Sequence, residues 1–273
     1  MPTTLRRPIL GVLVAIAITT SMDASGLSTF SALPLFPLAL VFWHFDHLSR
    51  RDVGLAWGAM RHYALAVLYP LMVLGVLTLV CAAAGVIDVT HADWSKAWRN
   101  LALVAVSTTL VAILTEEGFF RGWLWARLSR AGLSAPRVLI WSSVAFALWH
   151  VSAVLLPTGF DVPRSQVPVF IVNAAVIGAI WGLMRWLSGS VLVASVSHGA
   201  WNGAAYVLFG FGTKVGALGI AETAIYGPEA GVLGLVLNAV FALALWRIVR
   251  GRTPNAIEAH PHQKGSAQAS SAR

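Results

Sequence analysis

Long apolar runs that recur along the whole chain constrain its fold more than any other feature. A helix needs about 20 mostly apolar residues to cross a bilayer. Because only 11% of the residues are charged and 58% are hydrophobic, a water-soluble globule would lack the polar residues to cover its surface. The sequence therefore predicts an all-α integral membrane protein with about eight transmembrane helices, at roughly 8–24, 27–43, 62–86, 100–126, 137–156, 166–187, 189–209 and 230–249.

The first of these runs also has features of a secretory signal peptide. Arg6 and Arg7 precede a short apolar stretch, and Asp23 follows it directly. A second apolar run begins almost at once, and no clear cleavage site of small residues separates the two. We therefore expect an uncleaved transmembrane helix here.

The basic residues are distributed unevenly between the two sides that eight spans would create. Four lie on one side, at Lys96, Arg99, Arg164 and Lys214, and fourteen lie on the side of the two termini: Arg6, Arg7, Arg50, Arg51, Arg61, Arg127, Arg130, Arg137, Arg185, Arg247, Arg250, Arg252, Lys264 and Arg273. Because positive loops remain in the cytoplasm, this asymmetry predicts that both termini are cytoplasmic. We attribute the net charge of +8 to basic loops at an anionic membrane surface and expect no nucleic-acid partner.

Two carboxylates interrupt the fourth run. Glu116 and Glu117 lie inside it, whereas the other nine acidic residues fall in predicted loops, tails or span ends. A charge at the centre of a membrane helix costs roughly 2.5–3.5 kcal/mol on insertion scales, so an adjacent pair needs a reason. Glu117 and Arg121 are four residues apart and could form a structural ion pair. Such a pair would leave Glu116 unexplained.

Histidines in two further runs add to this polar set. His150 lies in the fifth span and His198 in the seventh, where Asn202 follows on the same helical face. At about 1.5 Å per residue from the predicted cytoplasmic ends, Glu116, His150 and His198 lie about 15, 20 and 14 Å deep. A lone buried histidine is usually a satisfied core residue. Three polar groups at similar depth on three helices instead predict one site inside a bundle.

The residue types at this depth fit two kinds of chemistry. A carboxylate and imidazoles in a pocket of low dielectric constant can activate a water, and Asn202 and His198 could donate hydrogen bonds to an oxyanion. These groups would serve peptide hydrolysis. They would also serve a proton relay in a transporter, so the chemistry alone leaves both open.

Three motifs, in this order on separate predicted helices, resemble those of a known family. They are Glu-Glu-x-x-x-Arg at 116–121, Phe-x-x-x-His at 146–150 and His-x-x-x-Asn at 198–202. Together they resemble the CPBP family of CAAX prenyl protease 2 and bacteriocin-processing proteins, also called the Abi family. The resemblance covers about residues 100–210 and implies a four-helix catalytic core. We therefore divide the chain into N-terminal transmembrane helices at 1–99, the core at 100–210, a loop and last helix at 211–250, and a disordered cytoplasmic tail at 251–273.

The resemblance implies an intramembrane endopeptidase. Arg outnumbers Lys 16 to 3 in an Ala-rich background, which is typical of a GC-rich bacterial genome, so we expect the protein in a bacterial inner membrane. Glu116 and His150 would activate water, His198 and Asn202 would support the oxyanion, and Glu117 and Arg121 would complete the site. The partners implied are membrane lipids and a protein or peptide substrate, with or without a lipid attached.

The family resemblance leaves the question of a metal open, because glutamate-dependent and metalloprotease mechanisms have both been described. We favour the mechanism without a cofactor. Zinc, if bound, would be held by Glu116, His150 and His198. A catalytically idle immunity or scaffold protein of the same family is a further alternative to the protease.

Overall fold

A computed structural model describes residues 5–251, and it is mostly helical. The α-helices are α1 (Arg6–Ala24), α2 (Leu35–Phe45), α3 (Met60–Ala83), α4 (Trp94–Leu114), α5 (Trp125–Arg130), α6 (Ala135–Trp149), α7 (Val151–Leu155), α8 (Val167–Ser188), α9 (Val191–Ala204), α10 (Thr223–Tyr226) and α11 (Val232–Gly251). Two π-helical segments are present, at Glu117–Leu124 between α4 and α5 and at Ala205–Phe209 after α9. Two short antiparallel strands, β1 (Gly210–Phe211) and β2 (Lys214–Val215), pair Gly210 with Val215.

The predicted all-α membrane fold is confirmed. Within residues 5–251, seven helices are long and apolar enough to cross a membrane: Arg6–Ala24, Ser28–Phe45, Met60–Ala83, Trp94–Arg130, Ala135–Leu155, Val167–Ser188 and Val232–Gly251. The run predicted at 189–209 is helical from Val191 to Phe209 but is not among the seven. Its α-helical part has only 14 residues, which is short of a bilayer's thickness. The domain boundaries remain a prediction, and the predicted tail beyond Gly251 lies outside the described residues.

Connections between the helices alternate between two faces of the bundle. The loops at 46–59, 131–134 and 189–190 lie on the face where α1 begins and α11 ends, which we call the arginine-rich face. On this face Val191 N donates a hydrogen bond of 3.0 Å to Gly54 O. The loops at 25–34, 84–93, 156–166 and 210–231 lie on the opposite face, where Ser28 Oγ donates to Thr158 O at 2.9 Å.

Ionic contacts tie the arginine-rich face together. The buried carboxylate of Asp46, at the end of α2, pairs with Arg7 at 2.9 Å and with Arg127 at 3.2 Å, and it accepts a hydrogen bond from Trp123. Arg185 at the end of α8 is buried, and its guanidinium donates to the backbone oxygens of Asp52 and Arg121. These contacts join five helical segments at this face: α1, α2, the π-helix at 117–124, α5 and α8.

Helix α9 packs closely against α4. A Cβ atom added to Gly199 would overlap the side chain of Thr109 and the carbonyl oxygen of Ala105. The outer side of α4 leaves apolar side chains exposed at a spacing of three or four residues, at Leu103, Val106 and Leu110. Small residues on one helix thus allow the close contact, and apolar residues on the other side of α4 face lipid.

We expect Gly199→Ala to destabilise the protein because the added methyl group meets backbone atoms that cannot rotate away. Overpacking of this kind costs about 1–3 kcal/mol. Gly75→Ala is the matched control, since a Cβ at that position in α3 meets no atom within 4 Å. Thermal unfolding in detergent should show a lower Tm for Gly199→Ala alone. Equal Tm values for the two variants would contradict the packing described for α4 and α9.

Candidate active site

A break in the helix that contains the first motif places Glu116. Helix α4 ends at Leu114, Thr115 has φ −101° and ψ −98°, and the chain resumes as a π-helix at Glu117. A Cβ on Gly118 would lie 2.6 Å from the carbonyl oxygen of Ile113, so only glycine fits the wide turn. The continuous span predicted at 100–126 is therefore interrupted at the Glu-Glu pair. π-Helical segments occur frequently at functional sites.

Glu117 lies in the most buried part of the site. Its side chain and that of Arg121 are both 0% exposed, and they form an ion pair of 3.2 Å. Arg121 also donates to Gly178 O at 2.9 Å and lies 4.2 Å from the centroid of the Phe146 ring. The guanidinium is therefore fixed by a carboxylate, a carbonyl and an aromatic face.

His198 connects Glu117 to Glu116. Its Nδ1 lies 3.1 Å from Glu117 Oε1, its ring stacks on Trp181 with centroids 3.9 Å apart, and its Nε2 lies 4.0 Å from Glu116 Oε2. With Glu117 ionised, the Nδ1 contact places a proton on Nδ1. The other ring nitrogen, Nε2, faces Glu116.

His150 approaches Glu116 from another helix. It occupies the junction between α6 and α7, so the span predicted at 137–156 is two helices that meet at the motif histidine. Its Nδ1 lies 2.9 Å from Phe146 O, and its Nε2 lies 3.9 Å from Glu116 Oε2. Since a carbonyl oxygen only accepts, Nδ1 is the donor in this hydrogen bond.

These side chains meet in one cavity of about 730 Å³. Glu116, His150, His198 and Asn202 line it, whereas Glu117 and Arg121 are not among its lining residues. The Glu116 side chain is 17% exposed, in contrast to the fully buried Glu117. The two adjacent glutamates are therefore distinct. Glu116 faces the cavity, and Glu117 bonds to Arg121 and His198 behind it.

One acidic residue of the cavity was not identified from the sequence. Glu229, assigned to a loop, is buried, lines the cavity and accepts a hydrogen bond of 2.7 Å from Trp201 Nε1. Asn173 Nδ2 donates to the backbone oxygens of Pro228 and Glu229, at 2.9 Å each. Glu229 precedes α11, and burial raises the pKa of its carboxyl to about 7 although the Trp201 hydrogen bond opposes this. A lone glutamate between Gly, Pro and Ala residues gives no periodic signal that could have revealed it.

Glu116, His150 and His198 are the side chains that would hold a zinc ion in this cavity. Two imidazole nitrogens and a carboxylate oxygen are ligands that zinc accepts, and two ligands about 2.1 Å from a tetrahedral zinc lie about 3.4 Å apart. Glu116 Oε2 is 3.9 and 4.0 Å from the two Nε2 atoms. Among residues 5–251, no three His, Cys, Asp or Glu side chains are grouped closely enough to hold a metal ion. The spacing fits a hydrogen-bonded water better than direct coordination.

Comparison with protein-family models shows which family the central part of the chain is similar to. Residues 98–204 match the family model described as type II CAAX prenyl endopeptidase Rce1-like, a stretch that is less than half of the 273 residues but contains all three motifs. No curated protein and no solved structure matches the chain. This match over residues 98–204 confirms the resemblance to the CAAX prenyl endopeptidase family that the three motifs predicted.

Proposed function

We propose that this protein is an intramembrane endopeptidase that hydrolyses peptide bonds of membrane-associated protein substrates with a water activated by Glu116. The observation that carries the proposal is the position of the Glu116 carboxylate. It faces a cavity and lies within 4.0 Å of the Nε2 atoms of both His150 and His198. A carboxylate and two imidazoles around one water are suited to general acid–base catalysis.

The proposed reaction begins with a water held between Glu116 Oε2 and His150 Nε2. Glu116 takes a proton from this water while the water oxygen attacks the scissile carbonyl carbon. The resulting oxyanion accepts hydrogen bonds from the Asn202 amide and from Nε2–H of a protonated His198. The proton on Glu116 then passes to the leaving amine, and the C–N bond breaks.

In this mechanism Glu117 and Arg121 position His198 without touching the substrate. The Glu117 carboxylate accepts from both Arg121 and His198. Its negative charge stabilises a protonated His198 and fixes the orientation of the ring, as a carboxylate behind a catalytic histidine does.

We expect Glu116→Gln to abolish proteolysis and to leave thermal stability unchanged or higher. Glutamine keeps the volume of the side chain but cannot accept the proton, and a charge that is costly in a membrane is removed. Glu222→Gln is the control, because Glu222 lies in an exposed loop. Proteins that co-purify with Glu116→Gln, but not with the wild type or the control, are identified by mass spectrometry, and their cleavage by the wild type is followed.

Near-normal turnover of such a substrate by Glu116→Gln would refute the general-base role. Trapping of no substrate, combined with a proton or solute flux that depends on Glu116, would favour the transporter alternative. If the wild type and Glu116→Gln retained the same binding partners and the wild type cleaved none of them, a catalytically idle scaffold would be favoured.

We expect Arg121→Ala to destabilise the protein strongly, because it leaves the buried Glu117 without its cationic partner. Breaking one side of a buried ion pair costs about 3–5 kcal/mol. Arg250→Ala is the control, since Arg250 lies in the exposed last turn of α11. Unfolding in detergent is the measurement. The double variant Arg121→Ala/Glu117→Gln should recover part of the loss, and a Tm for Arg121→Ala equal to that of the control would contradict the argument.

We expect activity without bound zinc. Purified protein should contain less than one equivalent of zinc by elemental analysis, and phenanthroline should inhibit no more than its non-chelating isomer. The physical reason is that Glu116 Oε2 lies 3.9 and 4.0 Å from the two imidazole Nε2 atoms, farther than two ligands of a tetrahedral zinc lie from each other. Stoichiometric zinc that is lost together with activity in His150→Ala would assign a metalloprotease mechanism instead.

The proposed location is the bacterial inner membrane, with both termini in the cytoplasm. The basis is the concentration of arginines on the face where α1 begins and α11 ends, to which the positive-inside rule applies. Membrane lipids and a protein or peptide substrate, lipid-modified or not, are the proposed partners.

A further inference from the structure

In the part of the chain that the structure describes, the loops that line the cavity of Glu116 all lie on one face of the bundle. Its lining includes loop residues that all belong to the opposite face, namely Ser28, Thr29, Thr158, Gly159, Phe160 and Lys214. No loop of the arginine-rich face contributes a residue to this lining. The route from bulk solvent to Glu116 therefore begins at the opposite face.

The arginine-rich side of the site is filled by packed side chains. Directly behind Glu116 lie Glu117 and Arg121, both fully buried, and Phe119 and Trp123, which are at most 1% exposed. Beyond them, the buried Arg185 bonds to the backbone of the 46–59 loop. A substrate approaching from this side would have to displace a buried ion pair and its surroundings.

Aromatic rings line the open route, and we call Phe160, Phe170, Tyr206 and Phe211 the aromatic collar. Phe211 is at its centre, with ring centroids 5.3, 5.7 and 5.6 Å from those of Phe160, Phe170 and Tyr206. Phe170 in turn lies 6.2 Å from the His150 ring. All four rings line the cavity. An occupant of this passage thus meets apolar faces before it reaches the polar groups.

We propose that the substrate enters from the extracytoplasmic side, through the aromatic collar, as an extended polypeptide segment with apolar side chains. Cleavage of this segment at Glu116 rests on the proposed protease function. The direction of entry rests on charge. Among residues 5–251, eleven basic residues lie towards the arginine-rich face and four towards the opposite face, so the positive-inside rule makes the mouth of the cavity extracytoplasmic.

This direction narrows the class of substrate. A lipidated C-terminus displayed in the cytoplasm would face the closed side of the bundle and could not reach Glu116 without crossing the membrane. A segment of a secreted or membrane-anchored protein that emerges at the outer surface would face the open mouth. The site is therefore suited to substrates of the cell envelope.

Accessibility of single cysteines tests the route without any assay of proteolysis. The chain's one cysteine, Cys81, is fully buried and is replaced by Ala to give the background. Single cysteines are then placed at Lys214 in the mouth, at Ala153 in the cavity wall, and at Arg50 as the control in an exposed loop of the arginine-rich face. A negatively charged, membrane-impermeant thiol reagent is applied to intact spheroplasts and to sealed inverted vesicles.

In spheroplasts, Lys214→Cys and Ala153→Cys should react and Arg50→Cys should not, and in inverted vesicles the pattern should be reversed. Reaction of Ala153→Cys from the cytoplasmic side, with Lys214→Cys reacting from outside, would overturn the route. Reaction of Lys214→Cys from the cytoplasm would overturn the orientation and with it the proposal. These readouts are independent of catalysis, so their failure leaves the proposed function to be judged by Glu116→Gln.

The aromatic collar is tested with a substrate obtained by trapping on Glu116→Gln. Phe160→Ala removes an aromatic face from the mouth and should raise KM by about tenfold with little change in kcat, since one lost apolar contact is worth at least that much. Val215→Ala, an exposed residue on β2 outside the cavity lining, is the control. Equal KM values for the two variants would overturn the role of the collar. A lower kcat for Phe160→Ala with an unchanged KM would also overturn it.

Discussion

The buried ion pair between Glu117 and Arg121 is the interaction on which the rest of the site depends. Both side chains are fully enclosed, at a depth where an isolated charge would be very costly. Arg121 is therefore also bonded to Gly178 and packed on Phe146, and Glu117 also bonds to His198. Three helices are thereby held in one arrangement by the need to satisfy two charges.

Departures from regular α-helix place the reactive groups around this pair. The end of α4 just before Glu116 and the junction of α6 and α7 at His150 both lie at the cavity. A regular helix would place Glu116 and Glu117 about 100° apart on its surface. The wide turn from Ile113 to Gly118, which only glycine allows, contains both glutamates. Glu116 lines the cavity, and Glu117 does not. The different positions of the two carboxylates thus coincide with the break between α4 and the π-helix.

The two faces of the bundle differ in how they are closed. Ionic contacts join the arginine-rich face, and loops surround the cavity at the opposite face. On the arginine-rich face, Asp46 and Arg185 join loops to helix ends through ionic and backbone hydrogen bonds. On the opposite face, loops and a two-stranded ribbon surround a cavity with few charged groups. The arginine-rich face is thus fixed by ionic contacts, and the cavity is lined by loops of the opposite face. This asymmetry is the structural basis of the proposed direction of access.

The sequence by itself determined the membrane fold, the family motifs and the i,i+4 relation of Glu117 to Arg121, because apolar run length, residue order and helical spacing are local properties. Tertiary structure alone decided which of the two glutamates faces the cavity, since that depends on a helix break and on the partners supplied by other helices. It also decided that Glu229 and Asp23, assigned to a loop and a span end, are buried: Asp23 accepts a hydrogen bond from Ser152, 129 positions away. A buried polar group is stabilised by whichever partner the fold brings to it, and no spacing along the chain encodes that partner.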